Sequence, residues 1–166
     1  FLLGGRSSYA HLFLPLFGND NTAFFYDLNT KLSYNLNDNN QLFLSGYFDR
    51  DVFRISESFS NSFGNTTLNL RWNHLFSDRL FSNLSAIYSD YYFGLELQMV
   101  GFEFVSGITN FNLKYDFTHY LSNTVDLRYG INSIYYHFNP GDVKPTSETS
   151  GINPESLTDK YAWENA

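Results

Sequence analysis

Between residues 24 and 36 the chain alternates strictly. Phe24, Tyr26, Leu28, Thr30, Leu32, Tyr34 and Leu36 fall on one face, and Asp27, Asn29, Lys31, Ser33 and Asn35 on the other. A period of two places successive side chains on opposite sides of a β-strand and is incompatible with an amphipathic helix. The run ends in Asn37-Asp38-Asn39-Asn40, residues that hydrogen-bond their own backbone in tight turns, and a second alternating run covers 41–49 with Leu42, Leu44, Gly46 and Phe48 on its apolar side. The two runs predict a hairpin. The polar side of the second run is mixed, because Phe43 and Tyr47 stand beside Ser45 and Asp49.

The unit recurs twice. Residues 66–76 set Leu68, Leu70, Trp72 and Phe76 against Asn69, Arg71 and Asn73, then turn at Ser77-Asp78-Arg79 into Leu80, Leu84, Ala86 and Tyr88. Residues 104–117 set Thr109, Phe111, Leu113, Tyr115 and Phe117 against Asn110, Asn112, Lys114 and Asp116. After 119–123, Val125, Leu127, Tyr129, Ile131 and Tyr135 oppose Asp126, Arg128, Gly130 and Asn132. With a leading half hairpin at 1–9, this predicts about seven antiparallel strands. The connections are expected to alternate, short at 37–40, 77–79 and 119–123 and long at 50–65, 89–103 and from 139 onward.

Alternation alone leaves open which face meets water. Aromatics make up 20% of the chain, yet mean hydropathy is only -0.30, a pairing typical of membrane β-barrels, where rings gather at the two interfaces and polar residues face the interior. No apolar run approaches the 18 or more residues of a spanning helix; the longest, 12–17, is broken by Pro15. Rings stand toward strand ends with aliphatics between, as in Tyr26, Leu28, Leu32 and Tyr34. Opposite charges lie close together on the polar face, as in Asp27 with Lys31, Lys114 with Asp116, and Asp126 with Arg128. Within the predicted spans the apolar faces carry no charge. The expected fold is therefore an antiparallel up-and-down transmembrane β-barrel segment, with short turns on the periplasmic side and long loops outside. Residues 1–9 then rise to the outside, and 24–36 descend. The whole of 1–166 reads as part of one barrel domain, with 139–166 an extracellular loop. A chain that starts at Phe1 and ends in the loop-like 160–166 is expected to be an internal or processed piece.

Other chemistry finds little support. Ten Lys and Arg against seventeen Asp and Glu give a net charge of -7 with no basic patch, which disfavours nucleic acid. Cysteine is absent, so disulfides, thiolate nucleophiles and Cys-ligated metals are excluded. His11, His74, His119 and His137 are not paired at ligand spacing, and no metal or other cofactor is expected. Asn19-Asp20-Asn21 and Asp49-Arg50-Asp51 lack the calcium-loop pattern and read as turns. Asn65-Thr66-Thr67 and Asn83-Leu84-Ser85 match the glycosylation triplet, which is common by chance. No nucleophile elbow is present, and Asp116 with Asp126 is the available carboxylate pair across a hairpin; no enzyme activity is expected.

The opening Phe1-Leu2-Leu3-Gly4-Gly5-Arg6-Ser7-Ser8-Tyr9, then the run from Phe25-Tyr26-Asp27-Leu28 to Tyr34, then Leu42-Phe43-Leu44-Ser45-Gly46-Tyr47-Phe48-Asp49-Arg50-Asp51-Val52-Phe53, resemble the early barrel of TonB-dependent receptors of Bacteroidetes-type bacteria. Gly64-Asn65-Thr66-Thr67, Arg71-Trp72-Asn73, Asn83 and Tyr88-Ser89-Asp90-Tyr91 resemble that family's next hairpin. The resemblance implies a 22-stranded bacterial outer-membrane barrel filled by a plug domain of the same full-length chain. It also implies uptake of a siderophore, glycan, peptide or vitamin energised through TonB, with a surface lipoprotein as a further partner beside the membrane lipid. The chain departs from that pattern in having neither plug nor TonB-binding segment and about a third of the strands. Two other readings fit the alternation: a small eight-stranded outer-membrane barrel acting as adhesin or anchor, and a secreted carbohydrate-binding β-sandwich.

Two sets of candidate residues follow. Asp27, Asn29, Lys31, Asn69, Arg71, Asn73, Lys114, Asp116, Asp126 and Arg128 form a lumen-facing ladder expected to contact the plug or line the substrate path. Phe53, Phe59, Phe63, Tyr91, Tyr92 and Phe93 are expected in extracellular loops, where rings capture ligand at low entropic cost.

Overall fold

Each alternating run pairs with the next in chain order. A computed structural model describes residues 1–13, 21–55, 58–147 and 150–166. In it β1 (Leu2–Ser7), β2 (Thr22–Asn37), β3 (Asn40–Ile55), β4 (Phe59–Ser77), β5 (Leu80–Leu97), β6 (Phe102–Tyr120) and β7 (Asp126–Pro145) form one antiparallel up-and-down sheet. β8 (Glu155–Ser156) and β9 (Lys160–Asn165) both lie against β7, at Asp142–Val143 and at Ser133–Phe138 respectively. They are two pieces of one ribbon position. The single described helix is one turn, α1 (Ala10–Phe13), between β1 and β2. Asn19, Asp20 and most of the apolar run 12–17 lie outside the described residues.

Turn chemistry closes one end of the sheet, hereafter the turn end. Asn37 Oδ1 accepts the Asn39 amide at 3.0 Å and Asn40 Nδ2 at 2.8 Å, and Ser77 Oγ accepts the Arg79 amide at 3.3 Å.

The opposite end, the rim, corrects the expected organisation. Segments 50–65 and 89–103 are not long loops. β3 continues to Ile55 and β4 starts at Phe59; β5 continues to Leu97 and β6 starts at Phe102. The strands there pair without interruption, Arg50 with Gly64 and Tyr92 with Gly107. Their period is hidden because both faces at the rim mix rings with polar side chains, so the apolar–polar contrast fades while the backbone ladder goes on. Segment 139–166 likewise carries the end of β7 together with β8 and β9, and Lys160–Asn165 is a strand where a loop was expected. Among the described residues nine strands stand where about seven were expected.

The sheet is a single open layer, and among the described residues β1 and β9 do not pair with each other. Among the described residues no hydrophobic residue is buried, and the only buried polar or charged residues are Asp27 and Ser82. The accessible surface is 11309 Å², against about 8,500 Å² for a compact protein of 19.3 kDa. The excess is the surface that a core would have removed.

On the apolar face two lines of rings bracket an aliphatic band. Toward the rim, Tyr26 meets Phe48 at 5.8 Å, Tyr88 meets Phe111 at 5.1 Å and Tyr135 meets Trp163 at 4.8 Å between ring centroids. Toward the turns, Tyr115 meets Phe117 at 4.3 Å in a tilted contact, Phe117 stacks on Tyr129 at 5.2 Å, and Trp72, His74 and Phe76 continue the line. Leu28, Leu32, Leu44, Leu68, Leu70 and Leu113 lie between. Charge first reaches this face above the rim-side rings, at Arg50 and Asp90. There the Arg50 guanidinium crosses the side-chain-free Gly64 to lie 4.0 Å from the Tyr92 ring centroid.

Candidate functional site

Register places all ten ladder residues on the polar face. Lys31, Ser45 and Asn69 are cross-strand neighbours, as are Phe43, Arg71 and Ser85, and as are Asn73, Asn83 and Asp116. The ladder nevertheless divides into two groups. Over β1–β4 it contains Asp27, Asn29, Lys31, Asn69, Arg71 and Asn73; over β6 and β7 it contains Lys114, Asp116, Asp126 and Arg128.

In the first group the expected pairing of Asp27 with Lys31 does not form. Asp27 accepts Arg6 Nε at 2.8 Å and Asn29 Nδ2 at 3.2 Å, because β1 sets Arg6 directly opposite it. Lys31, on β2, instead reaches the Phe43 ring, its Nζ 5.9 Å from the centroid, while the guanidinium of Arg71, on β4, lies 4.4 Å from the same centroid. A cation over the face of an aromatic ring is favourable because the ring quadrupole presents negative charge there. Phe43, which interrupts the polar pattern in sequence, is thus the centre of this group.

The second group forms the two short pairs its spacing suggests, Lys114 with Asp116 at 3.0 Å and Arg128 with Asp126 at 3.4 Å. Asp116 and Asp126 do not meet. Asp116 is opposite Gly130, and Asp126 is opposite Tyr120 at the strand end.

Between the groups runs a field of amides. The side-chain oxygens of Asn69, Asn73, Asn83, Asn112 and Asn132 and the Nε of Arg71 are covered yet have no hydrogen-bond partner in the protein. Asn83, Asn112 and Asn132 are additions to the ladder that continue its face onto β5, β6 and β7.

Five of the six rings assigned to ligand capture, Phe53, Phe59, Phe63, Tyr91 and Phe93, lie at the rim on strands β3, β4 and β5, with the same face parity as the ladder. Tyr92 faces the other way, under Arg50. Phe63 and Phe93 are direct cross-strand partners, and Phe93 meets Phe104 edge-on at 6.4 Å. Carboxylates accompany these rings. Asp27 and Asp49 are opposite one another, and Asp49 accepts the Asn65 amide at 2.6 Å. Burial, with the charges of Asp49 and Asp27, pushes the Asp51 carboxyl above its ordinary value. Arg6, Asp49 and Asp51 join the site through register alone. Nothing local in sequence pairs Arg6 with Asp27 across the intervening residues.

Among the described residues no group of three or more His, Asp or Glu is placed to hold a metal ion. His74 Nδ1 is 2.7 Å from Asn40 Oδ1, and His137 Nε2 is 2.9 Å from Asp159 Oδ2; both are on the apolar face near its borders. No helix of the described residues is long and apolar enough to cross a membrane, which leaves strand crossing untouched. No family model, curated protein or solved structure matches this chain.

Proposed function

We propose that this sheet is a wall segment of an outer-membrane β-barrel transporter of the TonB-dependent type, with the apolar face toward lipid and the polar face toward a filled lumen. The observation that carries the reading is the combination of an exposed aliphatic band between two lines of rings with the absence of any buried hydrophobic side chain among the described residues. Such a face is costly in water at roughly 25 cal/mol per Å² and costs nothing against acyl chains. Strands of 16 to 20 residues exceed the nine to eleven that cross a bilayer core at barrel tilt, so the rim stands outside the membrane. The unpartnered amides of the polar face call for a hydrated or polypeptide-filled space, and a plug domain of the same full-length chain supplies one. TonB acts through that plug, and a surface lipoprotein covers the rim. On this reading the Lys31–Phe43–Arg71 group and the amide field contact the plug, and Phe53, Phe59, Phe63, Tyr91 and Phe93 meet the incoming nutrient. The protein is a transporter and not an enzyme.

Two measurements on the full-length protein test this. Heat-modifiable mobility in detergent together with insertion into vesicles is expected; a protein that is soluble and monomeric without detergent overturns the membrane reading. Lys31→Ala with Arg71→Ala is expected to lower nutrient-dependent growth or uptake at least fivefold with surface abundance unchanged. Unaltered uptake overturns the role of the ladder. The eight-position count of the sheet favours the small-barrel alternative, and that reading predicts no uptake and no response to loss of TonB.

A further inference from the structure

The polar face is hollowed over β2, β3 and β4. The hollow, about 380 Å³, spans two adjacent cross-strand rows: Asn29, Tyr47 and Thr67 in the row nearer the rim, and Lys31, Ser45 and Asn69 in the row nearer the turns. That volume falls within the roughly 300–1,000 Å³ of small-molecule sites. The rows on either side of it differ in charge. Asp27, Asp49 and Asn65 stand next toward the rim, and Phe43 and Arg71 next toward the turns.

The carboxylates beside the hollow are engaged within the wall. Asp27 accepts from Arg6 Nε and Asn29 Nδ2, and Asp49 accepts the Asn65 backbone amide at 2.6 Å and its Nδ2 at 3.4 Å. The cations are not so engaged. The ion pairs among the described residues use Arg6, Lys114, Arg128 and His137, and leave Lys31 and Arg71 without a carboxylate. Phe43 attracts both, but a ring neither cancels their charge nor takes their N–H donors as a carboxylate oxygen does, and Arg71 Nε is covered with no acceptor. In a chain of net charge -7 this want of an anionic acceptor is local, and a ligand that brings one forms charge-assisted hydrogen bonds with both cations.

We infer that this hollow is a binding site for an acidic sugar, a small hydroxyl-rich solute that carries one carboxylate or phosphate group. The anionic group lies on the turn side, where Lys31 and Arg71 reach it, and the sugar hydroxyls lie on the rim side. Ser45, Tyr47 and Thr67 offer hydroxyls that donate and accept, and Asn29, with Nδ2 given to Asp27, keeps its carbonyl oxygen for a donor. An ammonium-bearing solute finds no carboxylate in the lining, and an apolar one leaves both cations unmatched. On the transport reading, a nutrient that has passed the rim rings Phe53 and Phe63, on the same strands, meets this site next.

The inference rests on the reading of this face as a lumen wall, and its test separates the two. The full-length protein, folded in detergent as judged by heat-modifiable mobility, is dialysed to equilibrium against glucuronate, glucose-6-phosphate, glucose or inorganic phosphate at constant ionic strength. At least tenfold tighter binding of an acidic sugar than of glucose is expected, with glucuronate ahead if the site takes a carboxylate and glucose-6-phosphate ahead if it takes a phosphate. Lys31→Gln and Arg71→Gln should each bring the acidic sugar to the level of glucose, and Thr67→Val should weaken acidic and neutral sugar alike. Lys31 is exposed, so Lys31→Gln decides the matter if Arg71→Gln fails to fold. Equal binding of acidic sugar and glucose, inorganic phosphate bound as tightly as either acidic sugar, or binding indifferent to Lys31→Gln overturns the site while leaving the membrane reading intact. A protein that is soluble without detergent and still binds the acidic sugar through Lys31 upholds the site and overturns the lumen wall.

Discussion

Phe43 is the residue whose place is least expected from its chemistry, since it stands among amides and charges on the polar face. Lys31 and Arg71 account for it, one reaching the ring from each neighbouring strand. Phe43→Leu keeps the apolar volume and removes the quadrupole, so a loss of about 0.5–1 kcal/mol is expected in equilibrium unfolding. Arg71→Met should cost a similar amount, and the double variant less than the sum; strict additivity would show that ring and cation do not interact. Asp142, at the rim beyond the aliphatic band, is a second local case. Hydrogen bonds from Ser156 and from Asn139 hold its carboxyl below its ordinary value. A depressed carboxyl stabilises the folded form above its unfolded value, about 3.9, and that contribution vanishes as pH falls through the lower folded value. Hydrogen exchange, corrected for its intrinsic rate, should therefore show β8 better protected on β7 near neutral pH than in acid below the ordinary carboxyl range. Ser156→Ala should remove most of that difference; an unchanged pH response would refute the assignment.

At the scale of the element, register does most of the work. Gly64 is paired with Arg50, and a Cβ at that position would lie 2.6 Å from the Asp49 carbonyl oxygen and 3.2 Å from Arg50 Cδ. Gly64→Val is expected to spread β3 from β4, detach Arg50 from Tyr92 and cost about 1–3 kcal/mol, read as an earlier unfolding midpoint. A midpoint at the wild-type value would mean that the rim strands are not held as described. The existence, order and faces of β2 to β7 were legible in sequence because one face of each is mostly apolar and uncharged over the central residues. Their length was not. Around Phe53, Phe63 and Tyr91-Tyr92-Phe93 both faces carry rings, so periodicity loses contrast where pairing does not. The site divides in the same way. Lys114 with Asp116 and Asp126 with Arg128 are two residues apart and were readable as pairs. Arg6 with Asp27 required the β1–β2 register, and Asn83, Asn112 and Asn132 required knowing that β5, β6 and β7 bring them into one field.

The whole molecule is one open layer, and its energetics differ from those of a domain with a core. Pairing satisfies the backbone, but among the described residues no second layer covers either face, and the exposed area exceeds that of a compact protein of this mass by about a third. On the proposed reading lipid and lumen contents take the place of the missing layers. Refolding from urea is then expected to succeed in detergent micelles or short-chain lipid vesicles and to end in aggregation in buffer alone, followed by β-sheet circular dichroism. Efficient refolding without amphiphile would show that the apolar face finds cover within the protein. What the amino-acid order determined by itself is the antiparallel ladder: a two-residue period with Asn- and Asp-rich turns dictates strand, face and neighbour because these depend on contacts close along the chain. What only the tertiary structure decided is the reach of the strands into the rim, the choice of Arg6 for Asp27, the approach of two cations to Phe43 from neighbouring strands, and the hollow between a row of carboxylates and those cations. Each of these depends on residues from separate strands being brought level, and that is fixed by register, which no local pattern encodes.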